Sequence, residues 1–182
     1  MAHISTATAG RPGAPSVAAP PEQAQQYLTF MLGNESFAIG ILAIKEIIEY
    51  SQLTQVPMMP AYVRGVINLR GAVVPVADVS VRFGRPSSEV TKRTCIVIVE
   101  VTLGGERQDL GLVVDSVSAV LEIPQADIEP PPTFGTRIRS EFIQGMGKVN
   151  GRFVILLNVH ALVTIEEAAQ LAHVAATSEA NV

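Results

Sequence analysis

From residue 26 onward the chain is a series of short apolar runs, rich in Val and Ile and separated by Gly, Asn or Pro. Runs of this length between turn residues predict strands. The first, 27–32, is closed by Gly33-Asn34 and answered by 36–39, the pattern of a hairpin. Further strands are predicted at 63–69, 72–76, 94–102, 109–114, 117–122, 143–149 and 153–157. Helical spacing of apolar positions is confined to short pieces after Asp78 and Asn158 and to residues 165–176. The predicted class is therefore mainly β.

The pattern repeats within the chain. Residues 62–81 lie over 142–161 at an offset of about 80, so that Gly65 meets Gly145, Gly71 meets Gly151, Val74 meets Val154 and Asp78 meets Asn158. Upstream, 37–49 lies over 110–122 at an offset of about 73. The difference falls in one place, the Pro-rich connection 123–141 of the second half. Each half ends its Gly-bounded hairpin on Asp or Asn, residues whose side-chain oxygen caps a following helix. A half of about 60 residues is too small for a comfortable core of its own. Two small barrels packed on one another are expected, closure also limiting exposed sheet edges.

Composition narrows the possible functions. Charged residues make up 16% of the chain, against about 25% in an average soluble domain, which leaves apolar surface for partners. A net charge of −4 and the absence of a Lys/Arg cluster argue against duplex nucleic acid, whose binding needs cations to displace counterions. Residues 1–25, rich in Ala, Pro, Gly, Ser and Thr, read as a disordered tail outside the fold, and 172–182 as a second tail. The longest nearly uncharged apolar stretch, 153–165, is shorter than the roughly 20 residues a membrane-spanning helix needs.

Catalytic candidates are few. The three histidines, His3, His160 and His173, have no ligand spacing, and no nucleophile elbow, phosphate loop or dinucleotide fingerprint occurs. Asp78 reads as a helix cap, Asp115 as a turn residue at a strand end, and Cys95 as a small buried hydrophobe. One cysteine allows no disulfide within the chain and fits a reducing, cytoplasmic compartment. No enzyme activity, cofactor or metal is expected. The alternative is a small β-barrel ligand binder or enzyme with its site between the halves, which would need a pocket with convergent polar groups.

The run PMMPAYVRGVINLRGAVVPVAD at 57–78 resembles the signature segment of the CheW family of chemotaxis coupling proteins. Three further blocks agree in order: IKEII at 44–48, LGLVVDSV at 110–117 and the hairpin of 145–158. The resemblance covers 26–171 and implies a CheW-like domain of two SH3-like five-stranded barrels around a shared apolar core. It implies a non-catalytic adaptor that joins the cytoplasmic tip of a methyl-accepting chemoreceptor to the regulatory domain of a histidine kinase. Such an adaptor is cytoplasmic, recruited to receptor arrays at the inner membrane, and pairs with its kinase partner end to end in rings. At matched positions the resemblance assigns Ile44, Glu46, Arg70 and Gly111 to receptor binding, and Gly65, Arg70 and Phe134 to kinase binding. A coupling protein serving pili or biofilm output instead of flagella fits the same residues.

Overall fold

The computed structural model describes residues 24–132, 138–164, 166, 167, 169–171 and 173. Eleven strands and the short helix α1 follow in order among the described residues. They are β1 Gln25–Leu32, β2 Glu35–Gly40, β3 Ile44–Glu49, β4 Val63–Leu69, β5 Ala72–Asp78, α1 Val79–Arg82, β6 Cys95–Leu103, β7 Glu106–Val114, β8 Ser116–Ile123, β9 Ile128–Glu129, β10 Ile143–Val149 and β11 Arg152–Leu157. Single 3-10 turns occupy Ile41–Ala43, Gln125–Asp127, Ser140–Phe142 and Val159–Ala161. Residues 166, 167, 169–171 and 173 are helical, within the predicted terminal helix. β3 and β9 were not among the predicted runs. β3 mixes Lys45, Glu46 and Glu49 with its isoleucines, and β9 is two residues long.

The strands form two sheets, β8-β1-β2-β11-β10-β9 and β3-β6-β7-β5-β4. Each is an SH3-like barrel, but neither barrel is one sequence repeat. The second is built by the continuous segment from β3 to β7, and the first by the segments flanking it. The opening hairpin of each half has crossed into the barrel formed by the closing hairpin of the other. Two parallel pairings make the exchange: β2 lies against β11 (Leu156 opposite Ala38), and β7 against β5 (Val76 opposite Gly111). These are the same register in the two repeats.

The exchange explains the continuous apolar runs. Along β6, Val97, Val99 and Val101 face the core shared by the barrels, while Ile96 and Ile98 fill the interior of their own barrel. β7 does the same with Leu110, Leu112 and Val114 against Val113. A strand buried on both faces reads as uninterrupted hydrophobic sequence. The flanking barrel has its own interior of Tyr27, Ala38, Ile123, Val154 and Leu156. Through the shared core runs a ladder of rings, Phe30, Phe37, Phe83 and Phe142, with successive centroids 6.1, 5.8 and 5.6 Å apart. Each buried ring contributes on the order of 2 kcal/mol by removal from water, so the ladder joins the barrels strongly.

Candidate functional site

The matched residues lie in three settings. Glu46 and Arg70 form an ion pair, Arg70 Nη2 to Glu46 Oε2 at 2.9 Å. Glu46 is on β3 and Arg70 in the β4–β5 turn, at opposite ends of the five-stranded sheet, so the pair bridges the seam of the barrel. Arg70 and Gly71 both have positive φ, 54° and 87°, as a two-residue type I′ hairpin demands. The Gly71 N–H donates to Asn68 Oδ1 at 3.0 Å and stiffens the turn. In the other half the same turn is Asn150-Gly151. Asn tolerates left-handed backbone and Arg does not favour it, so Arg70 is held in a costly conformation with its side chain 86% exposed.

Gly65 and Gly111 are packing positions. A Cβ on Gly65 would overlap the carbonyl oxygen of Thr54 and lie 3.2 Å from Leu53 Cβ. Thr54 bridges Val66 through two backbone hydrogen bonds, of 3.0 and 2.8 Å. Gly145 serves its half likewise: a Cβ there would lie 2.8 Å from Ile128 Cγ2 and 3.1 Å from the Glu129 carbonyl. Gly111 is buried inside its barrel, where a Cβ would stand 2.9 Å from Ile96 Cγ2 and 3.1 Å from Val76 Cγ2. With no side chain and no exposure, Gly111 sets the spacing of β5 and β6 on either side of β7. Ile44 is half-buried against the shared core. Phe134 lies outside the described residues.

Beside Ile44 opens a groove of about 850 Å³. Its apolar wall is Ile39, Ile41, Leu42, Ala43 and Leu157, and Leu42 on the rim is 97% exposed. No Ser, Thr or Cys lines it. His160 at its edge accepts the Thr102 N–H on Nδ1 at 3.2 Å. The groove thus offers apolar contact and amide or imidazole hydrogen bonding, without a nucleophile paired to a base.

Two polar clusters escaped the sequence reading. Fully buried Asp78 caps α1 as predicted, accepting the Val81 N–H at 3.3 Å, and also accepts Arg64 Nε at 2.9 Å and Ser87 Oγ at 2.8 Å. Asn158, in contrast, makes no side-chain cap bond. It precedes a single 3-10 turn, not an α-helical one. At the far end Thr164 and Glu167 form a capping box: Thr164 Oγ1 accepts the Glu167 N–H at 3.1 Å and Glu167 Oε2 accepts the Thr164 N–H at 3.0 Å. Glu167 also accepts the Tyr62 hydroxyl at 2.6 Å and faces Arg82 at 3.6 Å. Burial opposes its ionisation, but the Thr164 N–H, the Tyr62 hydroxyl and Arg82 together hold its carboxyl below the ordinary value. Burial first, and then the bond to Glu167, push the Tyr62 hydroxyl well above its ordinary value. The Thr-x-x-Glu spacing was visible in the sequence; the Arg64–Asp78 contact, spanning the hairpin, was not. Asp115 is a turn residue as predicted, its Oδ2 accepting the Gly33 N–H at 2.7 Å. Cys95 is half-buried, and burial followed by the charge of Glu49 raises its thiol, the reverse of an activated nucleophile.

Among the described residues no helix is long and apolar enough to cross a membrane. A family model described as the CheW-like domain matches residues 26–167. The chain is 36% identical to the chemotaxis protein CheW of Klebsiella aerogenes over 151 residues, 83% of this chain and 89% of that one. It is 35% identical to the chemotaxis protein CheW of Rhizobium meliloti over 143 residues, 79% of this chain and 90% of that one. The crystal structure of the scaffolding protein TtCheW from Thermoanaerobacter tengcongensis superposes with a TM-score of 0.72 at 32% identity, covering 80% of this chain and 91% of that one. With its exchanged barrels, its four signature blocks and relatives along most of its length, the protein belongs to the CheW-like family of chemotaxis scaffolds.

Proposed function

We propose that the chain is a non-catalytic adaptor that couples the cytoplasmic tip of a chemoreceptor to the regulatory domain of a chemotaxis-type histidine kinase, and that its receptors recruit it to arrays at the inner membrane. The observation that carries this reading is the pair of pseudo-equivalent barrel ends with different chemistry. At the repeat offset, exposed Ile47 corresponds to exposed Val120, while Glu46 and Arg70 correspond to Ala119 and Asn150. One end therefore presents an apolar residue beside an ion pair, and the other an apolar residue beside neutral groups. Ends alike in shape and unlike in charge favour heterologous pairing with a partner of similar fold, the contact from which rings are built.

In this reading Arg70, strained and exposed, is a kinase contact, with Gly65 supporting its hairpin from below and Phe134 at the second contact. Ile44 and Glu46 border the surface beside the groove, where the receptor tip docks; Gly111 acts through barrel spacing. An open apolar groove suits an amphipathic helix. The enzyme alternative lacks a nucleophile among the groove residues.

Pull-down by a receptor cytoplasmic fragment and by the kinase regulatory domain tests the proposal. Arg70→Ala should keep the fold and lose kinase capture. If the unaltered chain captures neither partner, and its addition to kinase and receptor leaves phosphorylation unchanged, the adaptor reading is wrong.

A further inference from the structure

The groove has a counterpart in the other barrel, and there it is filled. At the repeat offset, groove residues Gln144, Asn158 and His160 correspond to Arg64, Asp78 and Ser80. All three of the latter grip one short piece of chain. Arg64 Nη2 donates to Ser87 Oγ at 2.6 Å and to the Ser88 carbonyl; Asp78 Oδ2 accepts Ser87 Oγ at 2.8 Å and the Ser88 N–H at 3.2 Å; the hydroxyls of Ser80 and Ser88 are 3.0 Å apart. After α1 the chain turns at Gly84 and lays residues 85–90 over this place. After Asn158 it passes instead through Val159–Ala161 to the Thr164–Glu167 cap. Among the described residues the side chains of Gln144 and Asn158 consequently have no hydrogen-bond partner.

The filling segment is Arg-Pro-Ser-Ser-Glu-Val at 85–90, and a similar one, Arg-Pro-Gly-Ala-Pro-Ser-Val, stands at 11–17. The chain reaches the described structure at Ala24, which with Gln25 and Gln26 lines the open groove. Extended chain covers about 3.3 Å per residue, so the link from 17 to 24 spans roughly 20 Å, enough to turn back into the groove. Charge agrees as well. Arg11 is the one Lys or Arg in residues 1–23, and Glu122 on the groove wall is exposed, with no ion pair among the described residues. In the filled counterpart Arg85 is paired with Glu35 at 2.6 Å.

We propose that residues 11–17 of this chain occupy the open groove in cis, with Ser16 and neighbouring backbone bonded to Gln144 and Asn158 and Arg11 paired with Glu122. The regulatory consequence rests on the adaptor reading above: the segment competes with the receptor tip for the apolar wall. A tether this short supplies a local concentration in the millimolar range, so a segment of sub-millimolar affinity lowers receptor affinity about threefold.

The chain contains no tryptophan, which makes Leu42→Trp on the groove rim a clean fluorescence reporter. In the full chain carrying it, emission is expected at shorter wavelength than in the same chain with Arg11→Glu and Val17→Asp added. A synthetic peptide of residues 9–19 should restore the shorter wavelength to that variant, and should fail once Asn158→Ala is introduced. Identical emission with and without the two tail changes, or a peptide without effect, overturns occupancy in cis. The tail variant should also bind a receptor fragment about threefold more tightly. Unchanged affinity with altered emission overturns the competition, whereas binding by neither form refutes the adaptor reading and leaves the emission result to decide occupancy.

Discussion

Replacing Gly65 by Ala separates a spacer from a contact. The new methyl must displace the Thr54 carbonyl, which is backbone and cannot rotate away as a side chain would. Moving it strains or breaks the two hydrogen bonds between Thr54 and Val66, each contributing about 1 kcal/mol. Loss of the close packing of Leu53 against this strand adds about another 1 kcal/mol, and φ of 156° at Gly65 gives an Ala little freedom to escape. The sum is about 2 to 3 kcal/mol, or a fall in Tm of roughly 5 to 10 °C for a domain of this size. Thermal denaturation followed by circular dichroism measures it, and amide exchange should show Thr54 and Val66 losing protection together. Gly145→Ala provides the internal comparison. Its nearest obstacle is the Ile128 methyl, which can yield, so about 1 to 2 kcal/mol is expected. If Gly65→Ala leaves Tm within 1 °C of the parent yet abolishes kinase capture, the steric account is wrong and Gly65 is part of the contact surface itself.

The opposite behaviour is expected of Arg70→Asn, which places the residue of the matching turn in a left-handed position and removes an exposed ion pair contributing under about 1 kcal/mol. Stability by urea titration should be equal or slightly higher while capture of the kinase regulatory domain falls at least tenfold. Asp78→Asn leaves Arg64 without its buried counter-charge, and a loss of about 3 kcal/mol is expected, read as a lower urea midpoint at unchanged slope. For Glu167 the folded carboxyl titrates below its unfolded value, so its stabilisation is complete above about pH 4.3 and disappears as pH falls through the folded value. Tm of the parent should accordingly fall toward that of Glu167→Gln as pH drops from 6 to about 3.5, and a constant gap between the two would refute this.

Most strands were legible because burial writes itself into composition. The run at 94–102 reads as strand because both its faces meet apolar neighbours, and the hairpin at 143–157 because Gly151 marks its turn. β3 was hidden by its charges, which are held in ion pairs at the surface: Lys45 lies 2.7 Å from Asp109, and Glu46 holds Arg70. The repeat was legible as an alignment, but the exchange of hairpins was not. Pairing partners are chosen between segments far apart in sequence, and the same alternation satisfies either barrel. Glu46 and Arg70 could be nominated from the signature; that they meet depends on barrel closure. The packing of Gly111 against Ile96 and Val76 was not legible, because a glycine in a motif looks the same whether a partner or a neighbouring strand requires the space. The groove could not be foreseen, since it arises from where the chain after Asn158 does not go.

The crossed hairpins also dictate an order of assembly. One barrel is a single unbroken stretch from Ile44 to Val114, whereas the other needs strands from both flanks, Gln25–Gly40 and Ser116–Leu157. Short-range pairings close at lower entropic cost than distant ones, so the continuous barrel should acquire amide protection first in a pulse-labelled refolding experiment, and simultaneous protection of β1 would contradict this. During synthesis the ribosome would release a finished barrel that carries the ion-paired end before the neutral end exists. On the proposed adaptor reading, a nascent chain would then be able to meet a kinase partner at one end only, and its capacity to extend a ring would appear last.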